Sequence, residues 1–501
     1  MVTTPAIVVA APSSGSGKTT ITTGLIGALR AAGHRVAPFK VGPDYIDPGY
    51  HAVAAGRPGR NLDPNLVGED LIAPLFAHGA AGADIAVVEG VMGLFDGRIT
   101  DAPGTGAGGS DQLGLGSTAH VATILGAPVV LVVDGSGHSQ SLAAVLHGFL
   151  SYDASVHIAG VILNRVGSPR HELVLRQACD RVGLPVFGVV RRDPSLAVPS
   201  RHLGLIPAAE RTEEAVAAVD AMTGHLGAAL DLPAIVAAAR RRAVADAQPW
   251  SPAAAVSPGA SATPGGEGAD ADPAGVPARP VVAVAGGAAF TFGYAEHTEM
   301  LTAAGADVVT FDPLTDRLPE HAAGVVIGGG FPEEHAEELS ANTGLRADLR
   351  AHAAAGRPIH AECAGLLYLA AQLDGHPMSE VLELTGHFGP TLTLGYRDAV
   401  AVADSVLFRA GERITGHEFH RSTVAVAPDV EATPAWAWRD AAGRATTHGI
   451  VTASVHASYL HVHPAAVPEA LHRFVSRARE VETDAGARGM PRAGRSPDGR
   501  E

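Results

Sequence analysis

The stretch AIVVAAPSSGSGKTT, residues 6–20, decides how the rest of the chain is read. An apolar, strand-like run breaks into small residues and ends on Gly17, Lys18 and Thr19. Gly15 and Gly17 let the backbone bend close to an anion, so that several N–H groups can face phosphate oxygens, with Ser14, Ser16 and Thr20 in the same cradle. Lys18 adds a positive charge at the β and γ phosphates, and the Thr19 hydroxyl suits Mg²⁺. Ile21, Leu25, Ile26 and Leu29 recur at helical spacing and Gly33 closes the segment, which predicts strand, phosphate loop and helix in succession. One departure is visible. Pro12 stands where the usual GxxxxGK[ST] pattern has its first glycine, and a proline fixes φ and offers no N–H.

Outward from the loop, short apolar runs alternate with helix-like segments: VAPF (36–39), DIAVVEG (84–90), PVVLVVDG (128–135), HIAGVILNRV (157–166) and PVFGVV (185–190). That alternation predicts a parallel sheet wrapped by helices over residues 1–244, with 207–244 helical. Residues 245–279 turn to Pro, Ala, Gly and Ser and predict a flexible linker. A second α/β unit, 280–482, opens with PVVAVAGG (280–287), DVVTFDP (307–313), GVVIGGG (324–330) and RPIHAECAG (357–365), then grows richer in strand-like runs. Residues 483–501 are polar and predict a disordered tail.

The totals narrow the function. At 501 residues, 46% hydrophobic and with a mean hydropathy of +0.16, the chain suits two or three globular domains. No apolar run reaches the ~20 residues needed to cross a bilayer, and no charged leader precedes the first strand, so a cytoplasmic protein without membrane partners is expected. Cys179 and Cys363 are the only cysteines, too few for a disulfide framework. The formal charge of -16 argues against general nucleic-acid binding.

Acids at strand ends sit where open α/β sheets place ligands. Glu89 closes DIAVVEG at the Walker B position, and Asp44 and Asp47 lie in KVGPDYIDPGYH just after the second strand. Thr19, Asp44 and Glu89 would together suit Mg²⁺ on ATP phosphates. Asp47 reads either as a site acid or as a turn acid before Pro48. Lys40, at the same strand end, reads as a phosphate contact. Asn164 reads as a contact to the nucleotide base or as a turn residue. Arg191, Arg192, Arg201 and His202 are candidates for a polycarboxylate substrate, with solvated charges the alternative.

In the second unit, Cys363 lies between PIHAE and the helical pattern AGLLYLAAQL, a strand–turn–helix setting that favours a thiolate nucleophile. Gly328 to Gly330 would offer N–H groups to an oxyanion, and His461 in ASYLHVH is the candidate acid/base. His417 and His420 in GHEFH lack the spacing of a helical zinc motif, so no zinc is assigned and a place near the domain interface is expected.

These segments carry a resemblance. APSSGSGKTT, KVGPDYIDPGYH, VVEGVMGLFDG, LNRV and SRHLGL resemble the cobyrinic and hydrogenobyrinic acid a,c-diamide synthase family, over nearly the whole chain apart from the linker and tail. The resemblance implies a phosphate-loop NTPase-like first domain similar to dethiobiotin synthetase and a class I glutamine amidotransferase-like second domain. It implies ATP and Mg²⁺ as cofactors, glutamine as nitrogen donor, and a corrinoid polycarboxylate as acceptor. Cys363 would be the nucleophile and His461 its activator. The elbow has Ala361 where that fold usually has glycine, and His463 where its triad acid usually stands. The chemistry is coherent on its own terms, since a carboxylate must become an acyl phosphate before ammonia can displace its oxygen. Rival readings are an amidoligase for another acceptor, in cobyric acid synthesis or on a nickel tetrapyrrole, and a ParA-like assembly ATPase. The latter class carries an early signature lysine where this chain has Ser13. Oligomeric state is open, a homodimer being one option.

Overall fold

The computed structural model describes residues 4–99, 113–193, 200–201, 204–205, 208, 210, 212–242, 245–257, 279–440 and 442–489. The first sheet uses β1 (Ala6–Ala10), β2 (Val36–Val41), β3 (Arg60–Leu62), β4 (Ile85–Glu89), β5 (Val129–Asp134), β6 (Ile158–Val166) and β7 (Val186–Arg191). They run in the order β3-β2-β4-β1-β5-β6-β7, every neighbour parallel. Every residue of β1 is buried, as a central strand covered by helices on both faces requires. That burial makes it the anchor from which the phosphate loop projects. Helix α1 (Lys18–Ala31) follows the loop directly, and α2 (Asp47–Ala55) follows β2.

A short pair, β8 (Ser200–Arg201) and β9 (Gly204–Leu205), precedes two helices, Thr212–Ala229 and Leu232–Arg240. The helical stretch expected as one is therefore split. Asp231 caps the second helix by accepting from Ala234 N, with a proline at its start.

The second sheet is built from β10 (Val281–Ala285), β11 (Asp307–Phe311), β12 (Ala322–Ile327) and β13 (Ile359–Glu362). A mixed third sheet holds β14 (Gln372–Leu373), β15 (His376–Pro377), β16 (Leu384–Ala401), β17 (Arg413–Val426), β18 (Trp436–Arg439) and β19 (Ala445–His448). The chain then returns to the second sheet through β20 (Ile450–Val451) and β21 (Val455–Ser458), giving the order β11-β10-β12-β13-β21-β20. Only the β20–β21 pair in it is antiparallel. This return sets β21 beside β13, with Ser458 in register with Glu362.

Two expectations need correction. Within the stretch expected as a flexible linker, residues 245–257 are laid on the first domain. Ala245 N donates to Leu125 O at 2.8 Å and Trp250 N to Pro74 O at 2.9 Å. Burial of the Trp250 side chain, edge-on to His78, supplies the apolar contact that the surrounding composition hides. Residues 258–278 lie outside the described residues. The last helix, Pro468–Gly489, continues seven residues into the expected tail, while 490–501 lie outside the described residues. Leu471, Phe474, Val475 and Ala478 on that helix are buried, and Phe474 packs against Gly324 of β12.

Candidate active site

Two clusters of polar side chains form at the strand ends, one in each domain. The first surrounds the phosphate loop. Gly15 and Gly17 have φ of 77° and 93°, the left-handed region that only glycine enters freely. A Cβ on Gly17 would lie 2.3 Å from Asn164 Nδ2. Asn164 donates through that nitrogen to Ser16 O at 2.9 Å and accepts from Arg165 N, so it braces the floor of the loop. Ser16 Oγ donates to Ser13 O at 2.9 Å, an internal tie that lets the loop begin at Pro12 without the usual glycine. Ser14 and Gly15 at the loop tip are exposed, and Thr20 is half-buried on α1.

Lys18 Nζ donates to Met92 O at 2.5 Å. Burial, with Lys40 nearby, holds its pKa below the ordinary lysine value against the pull of Glu89 and Asp47. Thr19 Oγ1 donates to Glu89 Oε1 at 2.8 Å and stands 3.3 Å from Asp47 Oδ2. Lys40 lies in register with Glu89 across the β2–β4 pair. Its Nζ donates to Asp47 Oδ2 at 2.7 Å, Glu89 Oε1 at 3.0 Å and Gly90 O at 3.2 Å. Burial works against that ammonium, yet Asp47 and Glu89 hold its pKa above normal. Glu89 is wholly buried. Desolvation opposes its charge, and Lys40, His51 and Thr19 keep it ionised below the usual carboxylate range. Asp47 is shifted the other way, upward, by burial and by its neighbours Asp44 and Glu89.

These contacts redistribute the expected roles. Lys40 is engaged by the Asp47 and Glu89 carboxylates, because β-register delivers it onto Glu89. Asp44, expected as a Mg²⁺ ligand, accepts from the Ile46 and Asp47 amides through Oδ1 and shapes the start of α2. Asp47 is the acid that reaches Thr19. Thr19 Oγ1, Asp47 Oδ2 and Glu89 Oε1 thus form a set of hard oxygens at the foot of the loop, a donor set that fits Mg²⁺. His51, which sequence reasoning passed over, meets Glu89 Oε2 at 2.7 Å. Its spacing of four from Asp47 on one helix was the signal that could have found it.

Arg191 extends β7 and pairs with Glu172 at 3.2 Å near the surface, and Arg192 follows it. His202 and the side chain of Arg201 lie outside the described residues.

The second cluster is the elbow. Cys363 leaves β13 at φ 52° and ψ −104° and caps the helix Ala364–Leu369. A non-glycine residue there costs ~1–3 kcal/mol, which the surroundings must supply. Cys363 N donates to Ser458 O at 2.7 Å, Gly365 N donates to Gly328 O at 3.0 Å, and a Cβ on Gly365 would fall 2.2 Å from Ile327 O. The turn is thereby fixed between β12 and β21.

His461 follows β21 and is wholly buried, its backbone paired in both directions with His417 at 2.9 Å. Its Nδ1 lies 3.6 Å from Glu362 Oε2. Burial opposes protonation, but Cys363 and Glu362 together raise its pKa to about 10, so the imidazole carries its second proton at neutral pH. Glu362 also meets His360 Nε2 at 3.2 Å and accepts from Val462 N at 3.4 Å. It stays ionised below the usual range despite its burial, because His360 and His461 face it. His463, at the usual place of the triad acid, caps the next turn by accepting from Ala465 N at 3.3 Å. Burial pushes its pKa down to about 4, so it supplies no charge. Glu362, adjacent to Cys363, was missed because strand alternation predicts opposite faces for neighbouring residues. His417 and His420 both sit on β17, His417 beside His461 and His420 stacked on Tyr459 at 3.7 Å.

The domains meet at both clusters. Arg60 on β3 donates to Glu296 at 2.6 Å and also pairs with Glu299, and Tyr396 donates to Asp63 at 2.9 Å. Tyr45, between Asp44 and Asp47, lies against Phe292, Tyr294 and His461.

Comparison with known proteins agrees with this division. Residues 7–206 match the CobQ/CobB/MinD/ParA nucleotide binding domain, and residues 281–468 match the CobB/CobQ-like glutamine amidotransferase domain. The chain is 58% identical over 473 residues to a hydrogenobyrinate a,c-diamide synthase of Mycobacterium tuberculosis, covering 94% of this chain and 98% of that protein. It is 55% identical to the protein of that name from Streptomyces coelicolor, covering 95% and 98%. It is 42% identical to a cobyrinate a,c-diamide synthase of Gloeobacter violaceus, covering 95% and 97%. A nucleotide-binding domain and a glutamine amidotransferase domain in one chain, matched over nearly its whole length at this identity, make it a member of the hydrogenobyrinate and cobyrinate a,c-diamide synthase family of glutamine-hydrolysing ligases.

Proposed function

We propose that this enzyme amidates the a and c carboxylates of hydrogenobyrinic acid, in cobalamin biosynthesis, using ATP and glutamine. The observation that carries the reading is the pairing of an ATP-type phosphate site with a Cys363–His461 glutaminase in direct contact, in a chain matched over nearly its full length by enzymes of that name. The relatives at 49–58% identity bear the hydrogenobyrinate name and those at 36–42% the cobyrinate name, which favours the cobalt-free acceptor.

At the phosphate site a substrate carboxylate oxygen attacks the γ-phosphorus of ATP. The acyl phosphate forms and ADP leaves. The loop amides and Lys18 hold the transferring phosphoryl group and offset its charge. Mg²⁺, held by Thr19, Asp47 and Glu89, would supply charge neutralisation at the β and γ phosphates. His51 and Lys40 fix the Glu89 carboxylate. At the elbow Cys363 thiolate attacks the glutamine amide carbon, His461 protonates the departing ammonia, and water then releases glutamate from the thioester. The run Gly328–Gly330, held by Gly365 N and Phe292 N, lines the oxyanion side. Glu362, 3.6 Å from His461 Nδ1, favours the charged imidazole. Ammonia attacks the acyl carbon, and phosphate leaves. The two buried, unpaired cysteines suit a reducing cytoplasm; among the described residues no helix is long and apolar enough to cross a membrane.

The test incubates the enzyme with ATP, Mg²⁺ and glutamine and either hydrogenobyrinic or cobyrinic acid, and follows amide formation by mass spectrometry. Two acid-to-amide exchanges, faster on the cobalt-free acid, are expected. Cys363→Ala should lose glutamine-driven product and keep ammonia-driven product. ADP release without amide on either acid would defeat the proposal.

A further inference from the structure

We propose that Tyr45 is a positioning residue for the glutaminase centre, holding His461 against Cys363 from the phosphate-site side of the domain boundary. The proposal rests on the two-site reading above and goes beyond it. Tyr45 belongs by sequence to the nucleotide domain, and its backbone is pinned there. Asp44 Oδ1 accepts from the Ile46 and Asp47 amides, and Asn61 Nδ2 donates to Gly42 O at 2.8 Å and Asp44 O at 2.7 Å. Two residues on, Asp47 holds Lys40 and stands beside Thr19.

The Tyr45 ring, however, lies among side chains of the other domain. It stacks on Phe292 with ring centroids 5.2 Å apart and 12° between planes. It also meets Tyr294 and His461, each at 5.0 Å. His461 is confined on another side by Gly329, where a Cβ would come within 2.5 Å of its Cε1, and Gly329 O is held by Phe292 N at 3.0 Å. The nearest carboxylate oxygen stands at 3.6 Å, beyond a hydrogen bond, so packing sets the angle of the imidazole more than hydrogen bonding does. Withdrawal of Tyr45 would open a wall of that cage contributed by the nucleotide domain. A shift of Asp47, Thr19 or the start of α2 on filling the phosphate site therefore bears on the glutaminase through a single rigid side chain. The physical warrant is one element shared by two sites.

The experiment uses the full chain with Tyr45→Phe, Tyr45→Leu and Tyr45→Ala. Glutamate release is measured with and without ATP, Mg²⁺ and acceptor. Ammonia-driven amidation is measured alongside, as is the pH profile of Cys363 alkylation by iodoacetamide. Tyr45→Phe should retain function. Tyr45→Ala should lower kcat for glutamine at least about tenfold with KM nearly unchanged, as misplacement of a reacting group does. It should move the alkylation profile to higher pH, because an imidazolium that drifts from Cys363 stabilises the thiolate less. Ammonia-driven amidation should persist, and any stimulation of glutamate release by ATP and acceptor should vanish. Tyr45→Leu keeps apolar bulk and should show the same pattern should the alanine variant fold poorly. Wild-type glutamate release and an unmoved alkylation profile in both truncated variants would overturn the proposal. So would equal loss of ammonia-driven and glutamine-driven product with that profile unmoved, which would place Tyr45 at the phosphate site alone. The alkylation profile is read without acceptor, so failure of the proposed acceptor chemistry leaves this test decisive.

Discussion

His461 shows how few atoms set the chemistry of the second site. Its raised pKa comes from two negative neighbours, the Cys363 sulfur and the Glu362 carboxylate, acting against burial. Removing one of them has a definite sign. Glu362→Gln takes away a negative charge, so the imidazolium becomes less stable and its pKa falls. With the His461 imidazolium persisting to about pH 10, the alkaline limb of glutamine hydrolysis should lie near there. In Glu362→Gln that limb should move to lower pH, with a reduced kcat, and Glu362→Asp should restore part of it. A pH profile of kcat/KM checks both, and an unmoved limb would remove Glu362 from its assigned role. Stability follows the same sign. A histidine whose folded pKa lies above its unfolded value of 6.5 contributes stability that is fully present below pH ~6.5 and lost as pH rises through about 10.

At the scale of elements, β2 and β4 determine the first site, since their parallel register sets Lys40 beside Glu89. The Lys40 side chain is 5% exposed and that of Glu89 0%, so this is a buried ion pair. Lys40→Met should therefore destabilise the protein by ~3–5 kcal/mol, the cost of leaving a buried carboxylate uncompensated. Added Mg²⁺ should recover part of the loss by binding Thr19, Asp47 and Glu89, which urea unfolding with and without Mg²⁺ would show; unchanged stability would dissolve the pair as a structural unit. Much of this was legible in the sequence. The β1–loop–α1 unit, β4 ending on Glu89 and the turn at Cys363 all follow from apolar periodicity interrupted by residues with a single plausible chemistry. Register was not legible, because a sequence does not say which strand neighbours which, and so Lys40 read as a phosphate ligand. Nor did composition disclose the docked segment around Trp250, where one buried indole outweighs a run of Pro and Ala. The choice between Asp44 and Asp47 turns on which one is spent on backbone amides, a matter of local geometry.

For the whole molecule the question is how ammonia released from glutamine is captured before it escapes. Coupled delivery requires the domains to stay docked, and the described boundary is polar as well as aromatic. Arg60 on β3 reaches Glu296, whose side chain is 2% exposed, and the same guanidinium pairs with Glu299, which also meets His78 at 2.9 Å. This arginine, its side chain 11% exposed and outside the phosphate loop, is the latch to break. Arg60→Ala would leave Glu296 charged, buried and unpaired, a loss large enough to loosen docking. Carboxylate activation needs only the phosphate cluster, whereas glutamine hydrolysis also leans on Tyr45 across the boundary. Ammonia-driven amidation should accordingly survive in Arg60→Ala, while glutamate release slows and glutamine-driven amidation falls further, so that the ratio of glutamate released to amide formed climbs. Restoring the product with external ammonia would show that capture, not activation, had failed. If the ratio instead stays at its wild-type value, the boundary seen here is not what holds the two chemistries together.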